Sequence, residues 1–223
     1  MMEYTLIIPA YNEERNLPSL LRAARRIAKR IIVVDDGSTD RTSEVAREVG
    51  VTVVEHKRNF GKGCAVISAL NNCRTDFVVL MDADGQHLPS EIPLFLKKLR
   101  KCDVVIGNRF ARKQHIPFHR WLANKIIALL TKSRTGVNDP LCGFRAFRRK
   151  SLPELKEQGF NIELEILFKA VESRLTICEV PITVKYNGVR KSKTAGLLRG
   201  AAVYAKLLLY TLNWLLSKPH LFK

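Results

Sequence analysis

Five short apolar runs, each followed by polar residues and separated from the next by helical periodicity, constrain this chain more than any other feature. They are Thr5–Pro9, Arg30–Asp35, Val51–His56, Phe77–Asp82 and Asp103–Gly107. Runs of this length bounded by turn residues read as buried strands. Between the first two, Leu17–Lys29 places Leu17, Leu20, Leu21, Ala24, Ile27 and Ala28 on one helical face. Asn16 is positioned to cap that helix, with Pro18 tolerated in its first turn. Strand–helix–strand alternation predicts an α/β fold, Rossmann-like, with a doubly wound and mostly parallel sheet. Ligands on such sheets gather beyond the carboxyl ends of the strands, and chemistry is to be sought there.

The second half is less regular. A helix is expected near Arg120–Lys132, a turn at Asn138-Asp139-Pro140 and a strand through Phe144–Phe147. A helix at Ile162–Ser173, a strand at Ile177–Lys185 and one long helical pattern at Leu197–Leu216 follow. The 223 residues suffice for one such domain, residues 1–195, followed by an amphipathic helix and tail, residues 196–223.

Charge narrows the partners. Lys and Arg number 38 against 21 Asp and Glu, a net +17, and no acidic residue follows Glu179. Such a surplus favours nucleic acid, an anionic membrane surface or a phosphorylated substrate. A nucleic-acid-binding protein would leave the carboxylates at the strand ends unexplained, since they repel phosphates. The five cysteines are scattered and form no CxxC pair, so a reduced compartment is expected rather than a disulfide framework or zinc site. The N-terminus shows no signal-peptide pattern, and no stretch reaches the roughly 18 uncharged apolar residues of a membrane span. A peripheral position on the cytoplasmic side of a membrane is the expectation.

The polar clusters suit a nucleotide-sugar and a divalent cation. Pro9-Ala10-Tyr11-Asn12-Glu13 and Asp35-Asp36-Gly37-Ser38 follow the first two strands. Carboxylates there can accept hydrogen bonds from a base or ribose, and Tyr11 offers a stacking face, although Asp-Asp-Gly-Ser is also a common turn. In Asp82-Ala83-Asp84-Gly85-Gln86-His87, oxygen ligands at alternate positions can reach one hard cation whose remaining sites take substrate phosphates. A metal there would neutralise the departing diphosphate. An EF-hand is excluded by the missing later glutamate. Gly61-Lys62-Gly63 opens a helix, Cys64–Leu70, whose free amides favour an anion, while Lys62 also reads as a solvated loop lysine.

In order and spacing these motifs, with Gly107-Asn108-Arg109, resemble the family-2 inverting glycosyltransferases of the GT-A fold. Among them they are most similar to dolichyl-phosphate mannose synthases and polyprenyl-phosphate glucosyl relatives. Asp139-Pro140-Leu141-Cys142-Gly143-Phe144-Arg145, Glu165, Glu179-Val180-Pro181-Ile182 and Ser192-Lys193 extend the resemblance over residues 3–195. It implies a hexosyltransferase moving mannose, or next glucose, from GDP-mannose or UDP-glucose to dolichyl or polyprenyl phosphate. Pro9, Tyr11, Glu13, Asp36, Lys62, Asp82, Ala83 and Lys193 would bind the donor. Asp82, Asp84 and Gln86 would hold Mg²⁺ or Mn²⁺, and Arg109, Arg120 and Asn124 would face the acceptor phosphate. Asp84, Asp139 and Arg109 would stand nearest the reacting atoms. Where relatives carry an arginine and then a glycine in the late loop, this chain has Asn187 and Arg190, with Lys191 beside them. Some relatives depend on a separate membrane-anchoring subunit.

Physical chemistry also supports a phosphate acceptor. A phosphate monoester is largely ionised at neutral pH and needs cationic positioning, for which arginine is the better residue, rather than a strong base. A hydroxyl acceptor, on a lipid or polysaccharide, would need a base, and Asp139 is the candidate. In Leu197–Leu216, Arg199, Lys206 and Asn213 recur every seven residues as a narrow polar stripe, and Tyr204, Tyr210 and Trp214 suit headgroup level. The helix either lies in a membrane interface or packs on the core or a partner.

Overall fold

The computed structural model of the protein describes residues 2–185 and 197–218. Lys193, like Asn187, Arg190 and Lys191, lies outside the described residues. Those described form one sheet of β1 (Tyr4–Ala10), β2 (Arg30–Asp35), β3 (Thr52–Glu55), β4 (Phe77–Leu80), β5 (Val104–Asn108), β6 (Arg145–Arg148) and β7 (Ile177–Pro181). The order is β3-β2-β1-β4-β6-β5-β7, parallel except for β6, which runs antiparallel to β4 and β5. Consecutive residues such as Leu6, Ile7 and Ile8, or Val33 and Val34, are fully buried, so both faces of these strands are covered. That is why the strands read as unbroken apolar runs rather than as alternation.

The helices are α1 (Leu17–Arg25), α2 (Thr42–Glu48), α3 (Lys62–Asn72), α4 (Ile92–Lys98), α5 (Phe118–Thr135), α6 (Ile162–Glu172) and α7 (Leu197–Ser217). Helix α1 buries Leu17, Leu20, Leu21 and Ala24, the face expected of it. Asn16 does not cap it. Its backbone is already helical, Glu13 O takes the Asn16 and Leu17 amides, and Asn16 Nδ2 donates to Glu13 Oε2 at 2.8 Å. The uniformly reduced cysteines also need correction. Cys102 and Cys178 form a disulfide, while Cys64, Cys73 and Cys142 are free. Pairing of β5 with β7 places Cys178 opposite Val105, three residues from Cys102, a proximity that sequence spacing does not reveal.

Helix α7 packs against α5 and α6. Leu207, Thr211 and Trp214 are buried, and Trp214 stacks on Phe168 of α6 with ring centroids 3.9 Å apart. Its Nε1 donates to Glu172 Oε1 at 2.8 Å, and the Arg134 guanidinium lies over the ring. Trp214 therefore belongs to the core rather than to a headgroup layer. On the same helix Leu209, Leu212 and Leu216 remain exposed. Among the described residues no helix is long and apolar enough to cross a membrane.

A candidate active site at the strand ends

The carboxyl ends of β1, β2, β4 and β5 open into one cleft of about 760 Å³. Pro9, Tyr11, Glu13, Asp36, Lys62, Asp82, Ala83, Asp84, Gln86, Arg109, Arg120 and Asn124 all line it. Sequence separations of up to 115 residues thus close into one site.

At one end, Asp36 is fixed by donors from three directions. Its Oδ1 accepts from the Phe60 amide at 2.9 Å and faces His56 Nδ1 at 2.7 Å. Its Oδ2 accepts from the Gly61 amide at 2.8 Å. The amides reach it because the loop at Arg58 lies directly on Gly37, at φ +70°, where any side chain would collide with the Arg58 backbone. Nearby, Asn12 takes a left-handed conformation at φ +54°; its amide donates to Ser38 Oγ and its Oδ1 accepts from the Thr39 amide, both at 2.8 Å.

In the centre, Lys62 Nζ lies 2.5 Å from Asp82 Oδ1 and also pairs with Glu163. Burial alone would raise the Asp82 carboxyl, but Lys62, His87 and Arg109 bring it down to about 2. Asp84 behaves oppositely: burial and the Asp82 carboxylate push it up to about 6. Its Oδ1 accepts from the Gln86 amide at 3.0 Å, around Gly85 at φ +71°. His87 is buried against Phe144, and that burial pushes its imidazole down to about 4. A side chain at Gly143 would push on the acidic centre, since a Cβ would stand 2.6 Å from Asp82 Oδ2.

The expected anion site at the start of α3 is not formed. Gln158 O accepts from the Cys64 amide at 3.2 Å, and Glu157 O lies where a Gly63 side chain would point. The loop before α6 therefore closes that helix end, and Lys62 serves Asp82 and Glu163.

At the other end, Arg109 donates from its amide, Nε and Nη2 to Asp139 at 2.8, 2.8 and 2.7 Å. Asn124 Nδ2 donates to the same carboxylate. Burial would raise Asp139, yet the Arg109 charge and these donors hold it below the usual carboxylate range. Glu179 accepts from the Asn138 and Asp139 amides at 2.9 and 3.0 Å. Fully buried Arg145 donates to the carbonyls of Cys142, Glu163 and Pro140. Arg120 reaches Gln86 Oε1 at 3.1 Å, linking this end to the acidic centre. Asp139 itself is fully buried and meets the cleft through Arg109.

Residues 5–156 match the sequence profile of Glycosyl transferase family 2. The chain belongs to that family. It is 35% identical over 214 residues to the dolichol-phosphate mannosyltransferase of Pyrococcus furiosus, covering 87% of this chain and 60% of that protein. It is 36% identical over 159 residues to the undecaprenyl-phosphate 4-deoxy-4-formamido-L-arabinose transferase of Pseudomonas fluorescens, covering 65% of this chain and 47% of that one. Among solved structures, glucosyl-3-phosphoglycerate synthase from Mycobacterium tuberculosis, in complex with Mn²⁺, UDP and glucosyl-3-phosphoglycerate, superposes with a TM-score of 0.76. The identity there is 25%, over 95% of this chain and 78% of that one. The fold is the GT-A type of these glycosyltransferases.

Several residues of this family 2 site are silent in the sequence. Glu163 meets Lys62 only because α6 returns to the sheet. Val203, Tyr204 and Leu207 bring α7 to the cleft wall, although the helix follows the expected domain. His87 lies within a motif that draws attention to its carboxylates instead.

Proposed function

We propose that this family 2 glycosyltransferase moves one hexose, with inversion, from a nucleoside diphosphate-sugar to a polyprenyl phosphate at a membrane surface. What carries the reading is the asymmetry of the cleft: carboxylates at its centre, and at one end guanidinium groups whose neighbouring carboxylate, Asp139, is already engaged. Asp139 would be the base for a hydroxyl acceptor, but Arg109 and Asn124 occupy both its oxygens. A phosphate monoester needs no such base and is matched by paired arginines. Arg109 and Arg120 would hold it, Asp139 would position Arg109, and Asn124 would pin Asp139 through its side-chain amide.

Pro9, Tyr11, Glu13 and Asp36 would take the base and ribose, with Ala83 beside them. A divalent cation such as Mg²⁺ or Mn²⁺ fits the centre, where Asp82 and Asp84 stand half-buried side by side and partial burial with the Asp82 charge pushes Asp84 up. Asp82, Asp84 and Gln86 would hold it, and it would supply charge neutralisation for the leaving diphosphate. Lys62 would keep Asp82 ionised and oriented. The family resemblance favours GDP-mannose first and UDP-glucose next as donor.

Two features support a lipid surface as the place of reaction. Helix α5 leaves Phe118, Trp121, Leu122, Ile126 and Leu129 uncovered beside Lys125 and His119. Helix α7, packed next to it, leaves Leu209, Leu212 and Leu216 uncovered beside Lys206. Exposed apolar side chains interleaved with cations suit an anionic bilayer.

The direct test incubates the protein with Mg²⁺, polyprenyl phosphate and a panel of radiolabelled nucleotide-sugars, and counts label in the organic phase. Transfer should require the lipid phosphate. Equal transfer to the corresponding polyprenol would sink the phosphate-acceptor reading.

A further inference from the structure

Behind the base end of the cleft, and reaching it through Asp36, lies a relay that the transfer chemistry does not use. Ser68 Oγ on α3 lies 2.8 Å from His56 Nε2, and His56 Nδ1 lies 2.7 Å from Asp36 Oδ1. With the Ser68 hydroxyl donating to Nε2, the imidazole proton sits on Nδ1 and donates to the carboxylate. His56 is nearly buried, with the Phe60 ring edge-on at 5.4 Å, so its orientation is set.

The count of acceptor positions then becomes restrictive. A carboxylate offers about four, two on each oxygen. On Asp36, Oδ1 is filled by His56 and the Phe60 amide, while Oδ2 takes the Gly61 amide and, among the described residues, keeps one position. Guanine presents two adjacent donors, its ring N1–H and exocyclic amine, which match a carboxylate with both oxygens available. Uracil presents one ring N–H between two carbonyl oxygens and needs a single acceptor.

We propose that His56, held by Ser68, makes this site selective for uracil over guanine nucleotides by filling the Asp36 oxygen that guanine's second donor would use. The inference rests on the cleft being a nucleotide-sugar site, and it reverses the donor order that the family resemblance favours. His56 is a positioning residue, acting on the base through Asp36.

The test is calorimetric titration of UDP and of GDP, each with Mn²⁺, into the full chain. UDP should bind the wild type at least about tenfold more tightly than GDP, on the order of one hydrogen bond to a charged group. His56→Leu should bring the two affinities within about threefold, mainly by strengthening GDP. His56→Gln, whose amide can still donate to Asp36, should keep most of the selectivity. Ser68→Ala, a smaller change that frees the imidazole tautomer, should lower it part-way and covers the case in which His56→Leu does not fold. GDP binding as tightly as UDP to the wild type overturns the proposal, as does an unchanged ratio in the folded His56→Leu or Ser68→Ala protein. Absence of binding by either nucleotide would overturn the nucleotide-sugar reading itself, and this inference with it.

Discussion

The two ends of the cleft are built by different means. At the base end, main-chain amides of Phe60 and Gly61 hold one carboxylate, and the residues involved span only Pro9 to Ser68. At the arginine end, side chains hold side chains: Arg109, Asn124, Asn138, Asp139 and Glu179 come from four separate segments. Amides fixed by turns survive the loss of any one side chain. A network of buried ionic groups is cooperative, and removing one member leaves the others unpaired. The base end should therefore respond to mutation in selectivity, and the arginine end in both stability and turnover.

The largest effect is expected where the ends meet. Asp84→Asn should lower transfer by about 10²–10³-fold, the scale of losing one electrostatic stabiliser of a developing charge. The protein should fold normally, with an unchanged or slightly higher melting temperature, because burial beside Asp82 already disfavours the Asp84 charge. Chelation by EDTA should reproduce the loss in the wild type. Full activity in either case would remove the cation from the centre and leave the two ends without their junction.

Asp139→Asn tests the cooperative end. Arg109 would keep its charge and lose its counter-ion, a change that costs about 3 kcal/mol or more for a buried pair. For a chain of this size that is a fall of about 6–12 °C in melting temperature. The pH dependence has a fixed sign. Asp139 is held below its ordinary range, so its contribution is complete above the unfolded carboxylate value and fades as pH falls through the folded one. The stability gap between wild type and variant, measured by urea unfolding, should be widest near neutral pH and shrink on acidification. Nucleotide binding should change by less than about twofold. A variant as stable as wild type would show that the network is not cooperative.

The same contrast decides what the sequence discloses. The strands of the first half are legible within a residue or two, because fully buried strands of a parallel sheet are simply apolar and short. Every expected site residue within residues 9–124 reaches the cleft, since strand ends on one edge of such a sheet must converge. Pairings across long separations are not legible. Nothing local to Gly63 says that Glu157 will cover it, or that Glu163 will share Lys62 with Asp82. Strand β6, Arg145–Arg148, carries two arginines and gives no sign of its antiparallel place. The disulfide follows from the β5–β7 register, and Asn16 gives no cap because its backbone is already helical and its side chain is turned to Glu13 Oε2.

The smallest expected effect separates two kinds of apolar residue on adjacent helices. Trp214 is buried on α7, and Trp214→Ala should cost about 3–5 kcal/mol of stability, the usual range for an aromatic lost from a core. Phe118 on α5 is 72% exposed and Leu216 on α7 is 79% exposed, so nothing in the fold depends on them. Phe118→Ser combined with Leu216→Ser should leave stability within about 0.5 kcal/mol of wild type. Full burial of such a side chain is worth roughly 1.5–3 kcal/mol, and shallow insertion at an interface realises only part of it. Binding to vesicles containing anionic lipid should therefore fall about fivefold in sedimentation assays. Raising the salt separates the contributions, because attraction between the basic surface and the lipid is screened whereas apolar insertion persists. The deficit of the double variant should remain at high salt, and wild-type binding should weaken without vanishing. A double variant that sediments with vesicles as well as wild type would show that these side chains do not meet the bilayer. The basic surface alone would then account for attachment, and the contrast between the two helices would be one of packing only.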